Sequence, residues 1–417
     1  MRGERRRLSD QRRVAGAGSD GATSRRRVAF YLDQPFHAAI LGPIHKLLRG
    51  RVETLSSADR AEVVRFAPHV LVQASFADLA FFRRALPLTV IGSVDHGLTP
   101  KGVPRRIARL ADTAAQRFDF ICVGDDNMAD SLRQAGIEPK EFWLTGYPQL
   151  DPLFRRDPPP SLPLDPDQPT VVFAPTWNPG LSAAPVLGDR LAELIRGDGS
   201  PLNIIIKPHP HLPVRRGKWM GWWRRLARRD SRVHLVEDAA VDITPYLLAA
   251  DVLVSDASSV IFLFLALDRP IVAVTHPLHR FDPAYDRDDL NWRWRDMAAE
   301  VTDPRRQLAA AVRTALAQPD ERGEIRRRYA EELFGPRRDG RNAERVGEHI
   351  LATLESMAGV EPYAVEQQVE TGPAARWRRR PRLVRSDFYL RHGKGLSEDL
   401  RLWLRVARFR ARQRLGR

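Results

Sequence analysis

The stretch DVLVSDASSVIFLFLALDRPIVAV, residues 251–274, decides the reading of the fold. Asp251 to Ser255 is a short apolar run, the right length for a buried strand. Asp256 and Ala257 turn the chain, and Ser258 to Leu267 is a longer apolar run that suits a helix. Pro270 to Val274 is a strand again. Strand, helix and strand in succession make a parallel βαβ unit.

The same alternation continues outward in both directions. On the C-terminal side of the centre, strands are expected at Thr170 to Ala174, Leu202 to Lys207 and Arg232 to Val236. Helices are expected at Pro185 to Arg196, Ile243 to Ala249, 304–318, 321–333 and 341–357. Nearer the start, strands are expected at Arg27 to Leu32, His69 to Gln73, Leu88 to Val94, Phe118 to Val123 and Phe142 to Leu144. Helices follow the first of these at His37 to Leu48 and the fourth at Asp126 to Gln134. Between the two halves lies RRDPPPSLPLDPDQP, 155–169, too rich in proline for either element and suited to a linker. A chain of 417 residues is long enough for two such domains plus tails. The expected fold is α/β. It has two Rossmann-like doubly wound parallel-sheet domains, 28–154 and 170–358, that face a cleft, a basic leader at 1–27 and a basic tail at 359–417.

Charge divides the chain the same way. Residues 1–27 hold nine arginines and three acids, and residues 371–417 hold fifteen basic residues and three acids, so of the net +15 the span 28–370 keeps −3. A near-neutral body argues against a nucleic-acid-binding core, which carries its basic patch on the fold itself. Anionic membrane surface or nucleic acid is left as a partner for the tails; the membrane surface is the partner expected and nucleic acid is not. In the last of these, Ser397 can cap a helix that shows Leu400, Trp403, Leu404 and Ala407 on one face and arginines on the other. Such a helix suits a membrane surface, or else docks on its own domain. Arg215 to Arg229, with Trp219, Trp222 and Trp223 among basic residues, is a second candidate for the headgroup layer or for a protein surface. The one cysteine, Cys122, excludes a disulfide framework. The leader has no apolar segment of the secretory kind, and the longest uncharged apolar run is too short to span a bilayer. The expectation is a cytoplasmic two-domain protein.

Ligands of doubly wound sheets bind outside the carboxyl ends of the strands, and polar residues gather there. Asp95-His96-Gly97, followed by Pro100-Lys101, ends one strand. A histidine beside an aspartate in such a loop is placed for general-base work, and a turn histidine held by backbone is the alternative. Lys207-Pro208-His209-Pro210-His211 is a rigid cationic knot suited to phosphate. A metal pair is the rival, with no carboxylate near in sequence to complete it. Asp256-Ala257-Ser258-Ser259 ends a strand and opens a helix, where backbone N–H groups and hydroxyls can hold an anion; plain capping by serine is the alternative. Thr176, in Ala174-Pro175-Thr176-Trp177-Asn178, ends a further strand.

Taken in order, these pieces resemble the CDP-glycerol glycerophosphotransferase family of teichoic-acid synthesis. The matching motifs are His96-Gly97, Gly146-Tyr147-Pro148 with Asp151, Ala174-Pro175-Thr176-Trp177 and Lys207-Pro208-His209-Pro210. Asp256-Ala257-Ser258-Ser259, Arg269-Pro270-Ile271 and the pair Asp339-Gly340 complete the set. The resemblance implies a GT-B fold and transfer of glycerol phosphate from CDP-glycerol, or another nucleotide-activated donor, to a hydroxyl acceptor with release of CMP. His96 would be the base and Asp95 would orient it. His209 and Lys207 would stabilise the leaving oxygens. Ser258, Ser259, Asp256 and Thr176 would bind the donor phosphates, with Gly97 and Lys101 on the acceptor side. No metal or other cofactor is implied. The acceptor would be lipid-linked or a polysaccharide, which places the enzyme on the inner face of the membrane. A GT-B glycosyltransferase or sugar-nucleotide epimerase is the nearest rival, and a non-catalytic membrane-associated binding protein the next. The family's acidic position in the string after the serines is Leu263 here, between Phe262 and Phe264, and the stretch after His276 departs from its pattern.

Overall fold

A computed structural model describes residues 13–14, 26–75, 78–94, 117–134, 136–197, 199–215, 217–238, 240–282 and 284–365. The segment with Asp95, His96, Gly97 and Lys101 lies outside them, as do the proposed tail helix and most of the leader.

Two six-stranded parallel sheets form the body. A two-residue antiparallel pair joins β1 (Arg13–Val14) to β14 (Ala364–Val365). The first sheet holds β2 (Arg27–Tyr31), β3 (Glu53–Ser57), β4 (Val70–Gln73), β5 (Val90–Val94), β6 (Phe120–Val123) and β7 (Glu141–Leu144), in the order β3-β2-β4-β5-β6-β7. The second holds β8 (Thr170–Phe173), β9 (Asn203–Ile206), β10 (Val233–Leu235), β11 (Val252–Ser255), β12 (Ile271–Val274) and β13 (Ala299–Val301), in the order β10-β9-β8-β11-β12-β13. The winding of the second sheet reverses between β8 and β11, and that of the first between β2 and β4. These reversals open the crevices where such folds take ligands. The central strands are buried on both faces, which is why they read as unbroken apolar runs.

Three expectations need correction. The strand β3, ETLSS, gave no signal because it is a sheet edge, only partly covered, with Leu55 as its single apolar side chain on the core. The helix expected at 185–196 is broken into Ala184–Leu187 and Leu191–Arg196 around Gly188, whose φ of +58° interrupts the ladder. The helix Asn342–Ser356, assigned by sequence to the second domain, packs on the first. Its Ala343, Val346, Ile350 and Leu354 share a core with Ile40, Leu41, Ile44 and Leu48.

That return crossing explains two of the motifs. Asp151 is 3% exposed and accepts the backbone N–H of Asn342 at 2.9 Å and of Ala343 at 2.8 Å. Its carboxylate therefore caps the returning helix across the chain. Gly146 has φ of +79°, and a Cβ there would stand 2.2 Å from Asn342 Oδ1. Arg155 reaches the carbonyl of Gly340 at 2.7 Å. The Gly-Tyr-Pro turn with Asp151, and Asp339-Gly340, are thus two sides of one seam.

Candidate active site

Four loops leave the carboxyl edge of the second sheet around its crevice. They follow β8, β9, β11 and β12. Asp256 follows β11 directly, is 0% exposed, and is the hub. One carboxylate oxygen accepts Thr176 N–H at 2.9 Å and the other accepts Ala183 N–H at 2.8 Å. Through these two bonds the aspartate pins the loop after β8. Thr176 joins this network through its N–H. Ser182 adds a hydroxyl bond to Thr176 O at 2.8 Å.

Arg295 completes the scaffold, and no motif announced it. Its guanidinium donates to Asp256 O and to Thr275 Oγ1, both at 2.8 Å, and so ties the loop after β11 to the loop after β12. Burial lowers its affinity for the proton, while Glu300 and Asp256 oppose that. The clue available in sequence was the Trp292-Arg293-Trp294-Arg295 cluster, because Arg295 also lies over the Trp292 ring at 5.2 Å.

Lys207 and His209 follow β9. Lys207 is 4% exposed, and burial pushes its ammonium down to about 8, with Asp242 and Asp238 pulling the other way. The charge offered to an anion is therefore lost as pH rises through about 8. Affinity for an anionic donor is expected to fall toward tenfold per pH unit above that point. Lys207→Arg, whose guanidinium keeps its proton, should flatten the profile. Calorimetric titration with CDP-glycerol between about pH 7 and pH 9.5 checks this, and a flat wild-type profile would remove Lys207 from the anion site.

His209 Nδ1 accepts the N–H of His211 at 3.2 Å, so in the neutral ring the proton sits on Nε2 and His209 is a donor. Trp177 stands over this knot, 6.4 Å from the His209 ring and 6.0 Å from that of His211. Ser258 and Ser259 follow β11. The bond from Val260 N–H to Ser258 Oγ is long, at 3.5 Å, and Ser259 makes no side-chain cap. Across β11, the loop after β12 carries His276, which burial pushes down to about 4, so its ring is neutral.

The first sheet presents its carboxyl edge to the same cleft. Phe36, in the turn Pro35–His37 after β2, meets the His211 ring edge-on at 6.3 Å. Beside it Asp33 lies 2.9 Å from His37 Nδ1 and accepts Ser75 Oγ at 2.9 Å. Burial alone would raise the Asp33 carboxyl, and these contacts bring it below its usual range. Sequence reading found none of these three residues, which are brought together by β2 and β4. β5, which precedes Asp95 and His96 in the chain, lies inside the sheet between β4 and β6.

The second basic–aromatic candidate is corrected. In the helix Gly217–Arg229, Trp219 and Trp223 are buried in the core of the second domain, with Trp223 0% exposed. They are anchors of the helix and are not available to a membrane. Among the described residues no group of His, Cys, Asp and Glu could hold a metal ion, and no helix is long and apolar enough to cross a membrane.

Compared with known proteins, this architecture has clear relatives. A variant of the wall teichoic acid polymerase TagF superposes with a TM-score of 0.62 at 15% identity, covering 81% of this chain and 90% of TagF. Another TagF structure gives 0.60 at 14%, covering 80% and 90%. A UDP-N-acetylglucosamine 2-epimerase gives 0.51 at 14%, covering 80% and 96%. At such identities the likeness shows the fold, which is GT-B. No curated protein matches the chain by sequence. The model of the CDP-glycerol:poly(glycerophosphate) glycerophosphotransferase family, however, matches residues 51–352, and the chain belongs to that family.

Proposed function

We propose that the crevice of the second domain holds CDP-glycerol and that a loop of the first domain activates the acceptor. The observation that carries this reading is the convergence of Lys207, His209, Ser258 and Ser259 on one strand edge, set by the Asp256–Arg295 scaffold. As a family member the chain is a transferase that moves glycerol phosphate from CDP-glycerol to a hydroxyl and releases CMP. TagF, similar in fold, has been soaked with CDPG. Phosphoryl transfer asks the protein mainly for positioning and charge. Lys207 and the Nε2–H of His209 face the charge that develops on the leaving pyrophosphate oxygen. The serine hydroxyls hold the non-bridging oxygens. His96, oriented by Asp95, takes the proton of the acceptor hydroxyl. Gly97 and Lys101 line the acceptor side. The double variant S258A/S259A is expected to stay folded and to bind CDP-glycerol at least tenfold more weakly in calorimetry; unchanged affinity would refute the phosphate role of the pair. CMP release on mixing with CDP-glycerol and a short polyol-phosphate acceptor tests the whole reading.

The acceptor is lipid-linked or a polysaccharide in this reading, so the enzyme works at the inner membrane face. The +12 segment 371–417 supplies the attraction, at about 1 kcal/mol per basic side chain near an anionic surface. Vesicles of anionic lipid should bind the full chain in low salt and release it in high salt. Deleting 371–417 should abolish that binding and leave activity on a soluble acceptor intact. Equal vesicle binding by the truncated chain would refute the assignment to the tail.

A further inference from the structure

Two turns of the same kind flank the crevice. β9 and β12 are the outer neighbours of β8 and β11. β9 runs into His209-Pro210-His211 and β12 into His276-Pro277-Leu278. In each turn the histidine ring accepts, at Nδ1, the backbone N–H of the residue two further on: His211 N to His209 and Leu278 N to His276, both at 3.2 Å. An Nδ1 that accepts an N–H carries no proton, so in the neutral ring the proton is on Nε2. Proline, with its fixed φ, stiffens each turn. The backbone thus sets one tautomer twice, on opposite sides of one crevice.

His276 also stands next to the serine pair. Ser255 on β11 pairs with Ala273 on β12, so Ala257-Ser258 and Thr275-His276 leave the sheet side by side. Arg295 clamps these two loops through Asp256 O and Thr275 Oγ1. His279 Nδ1 and the His276 carbonyl lie 2.8 Å apart, which fixes the turn from beneath. Among the described residues His276 Nε2 has no protein acceptor.

We propose that His276 contacts the substrate: its Nε2–H donates to a phosphate oxygen of the nucleoside-diphosphate donor, opposite His209. A neutral ring suits this role, since it gives a directed hydrogen bond and keeps its proton. The proposal rests on reading the crevice as the donor site.

The test uses the full chain and two probes, CDP-glycerol and CDP, titrated by calorimetry. H276N keeps an oxygen that can accept the Leu278 N–H as an Asx turn, and it removes the donor at Nε2. It should bind both probes about tenfold more weakly, as expected for one lost hydrogen bond to a charged group. H276Q places an amide N–H near the lost position and should return affinity to within about threefold of wild type. Should H276N not fold, H276M fills the volume without a donor and carries the same expectation. Wild-type affinity in H276N or H276M overturns the proposal, as does H276Q binding no better than H276N. A wild type that binds CDP and not CDP-glycerol overturns the donor identity and leaves His276 to be judged on CDP. A wild type that binds neither overturns both.

Discussion

Replacing His96 with alanine is expected to slow CMP release from CDP-glycerol by roughly 10² to 10⁴, the usual worth of a general base. His96 follows β5, whose last residue is Val94. The acceptor hydroxyl must lose its proton as it attacks phosphorus, and no acid or base of the donor site has that task. His209 is fixed as a donor by its bond from His211 N–H, and Lys207 is a cation below about pH 8. The effect should therefore fall on turnover, with the CDP-glycerol dissociation constant within about threefold of wild type. Steady-state CMP release and calorimetry on the same preparation separate the two. Turnover near wild type in H96A would remove His96 from the chemistry.

Asp256→Ala should be the most destabilising substitution of a site residue, at about 3 to 5 kcal/mol. The carboxylate is 0% exposed and receives Thr176 and Ala183 N–H, so the alanine variant leaves one part-buried and one buried donor unmade and Arg295 with Glu300 alone as opposing charge. Asp256→Asn retains one acceptor oxygen and should lose roughly half as much. Denaturant midpoints at constant slope give both numbers. A loss under about 1 kcal/mol for the alanine variant would show that the loop after β8 does not depend on this carboxylate.

What the sequence disclosed follows the range of the interactions involved. The central strands were legible because burial on both faces writes itself as a local apolar run, as in Asn203–Ile206 and Val252–Ser255. The residues proposed for the donor side could be picked out for a similar reason, since each sits within a few residues of a strand end. Edge strands such as Glu53–Ser57 left no such mark. Trp219 and Trp223 gave a true aromatic–basic signal, but the signal does not say whether the rings meet a core or a lipid. Arg295 was silent because its meaning depends on two loops that meet only when β11 pairs with β12. Asp256 was named, yet its bonds to Thr176 and Ala183 were not legible, because they join residues 73 and 80 positions apart in the chain.

The return of Asn342–Ser356 to the first sheet has a consequence for how the molecule is made. The core around Ile40, Leu41 and Leu48 lacks one wall until Val346, Ile350 and Leu354 are in place. On a ribosome those residues follow the whole second domain, a wait of about 10 to 40 s at ordinary rates of synthesis. The first half is thus translated first and completed last. Its exposed apolar wall makes it the natural client of a chaperone, and a gene fragment ending in the proline-rich linker encodes a domain with its side open.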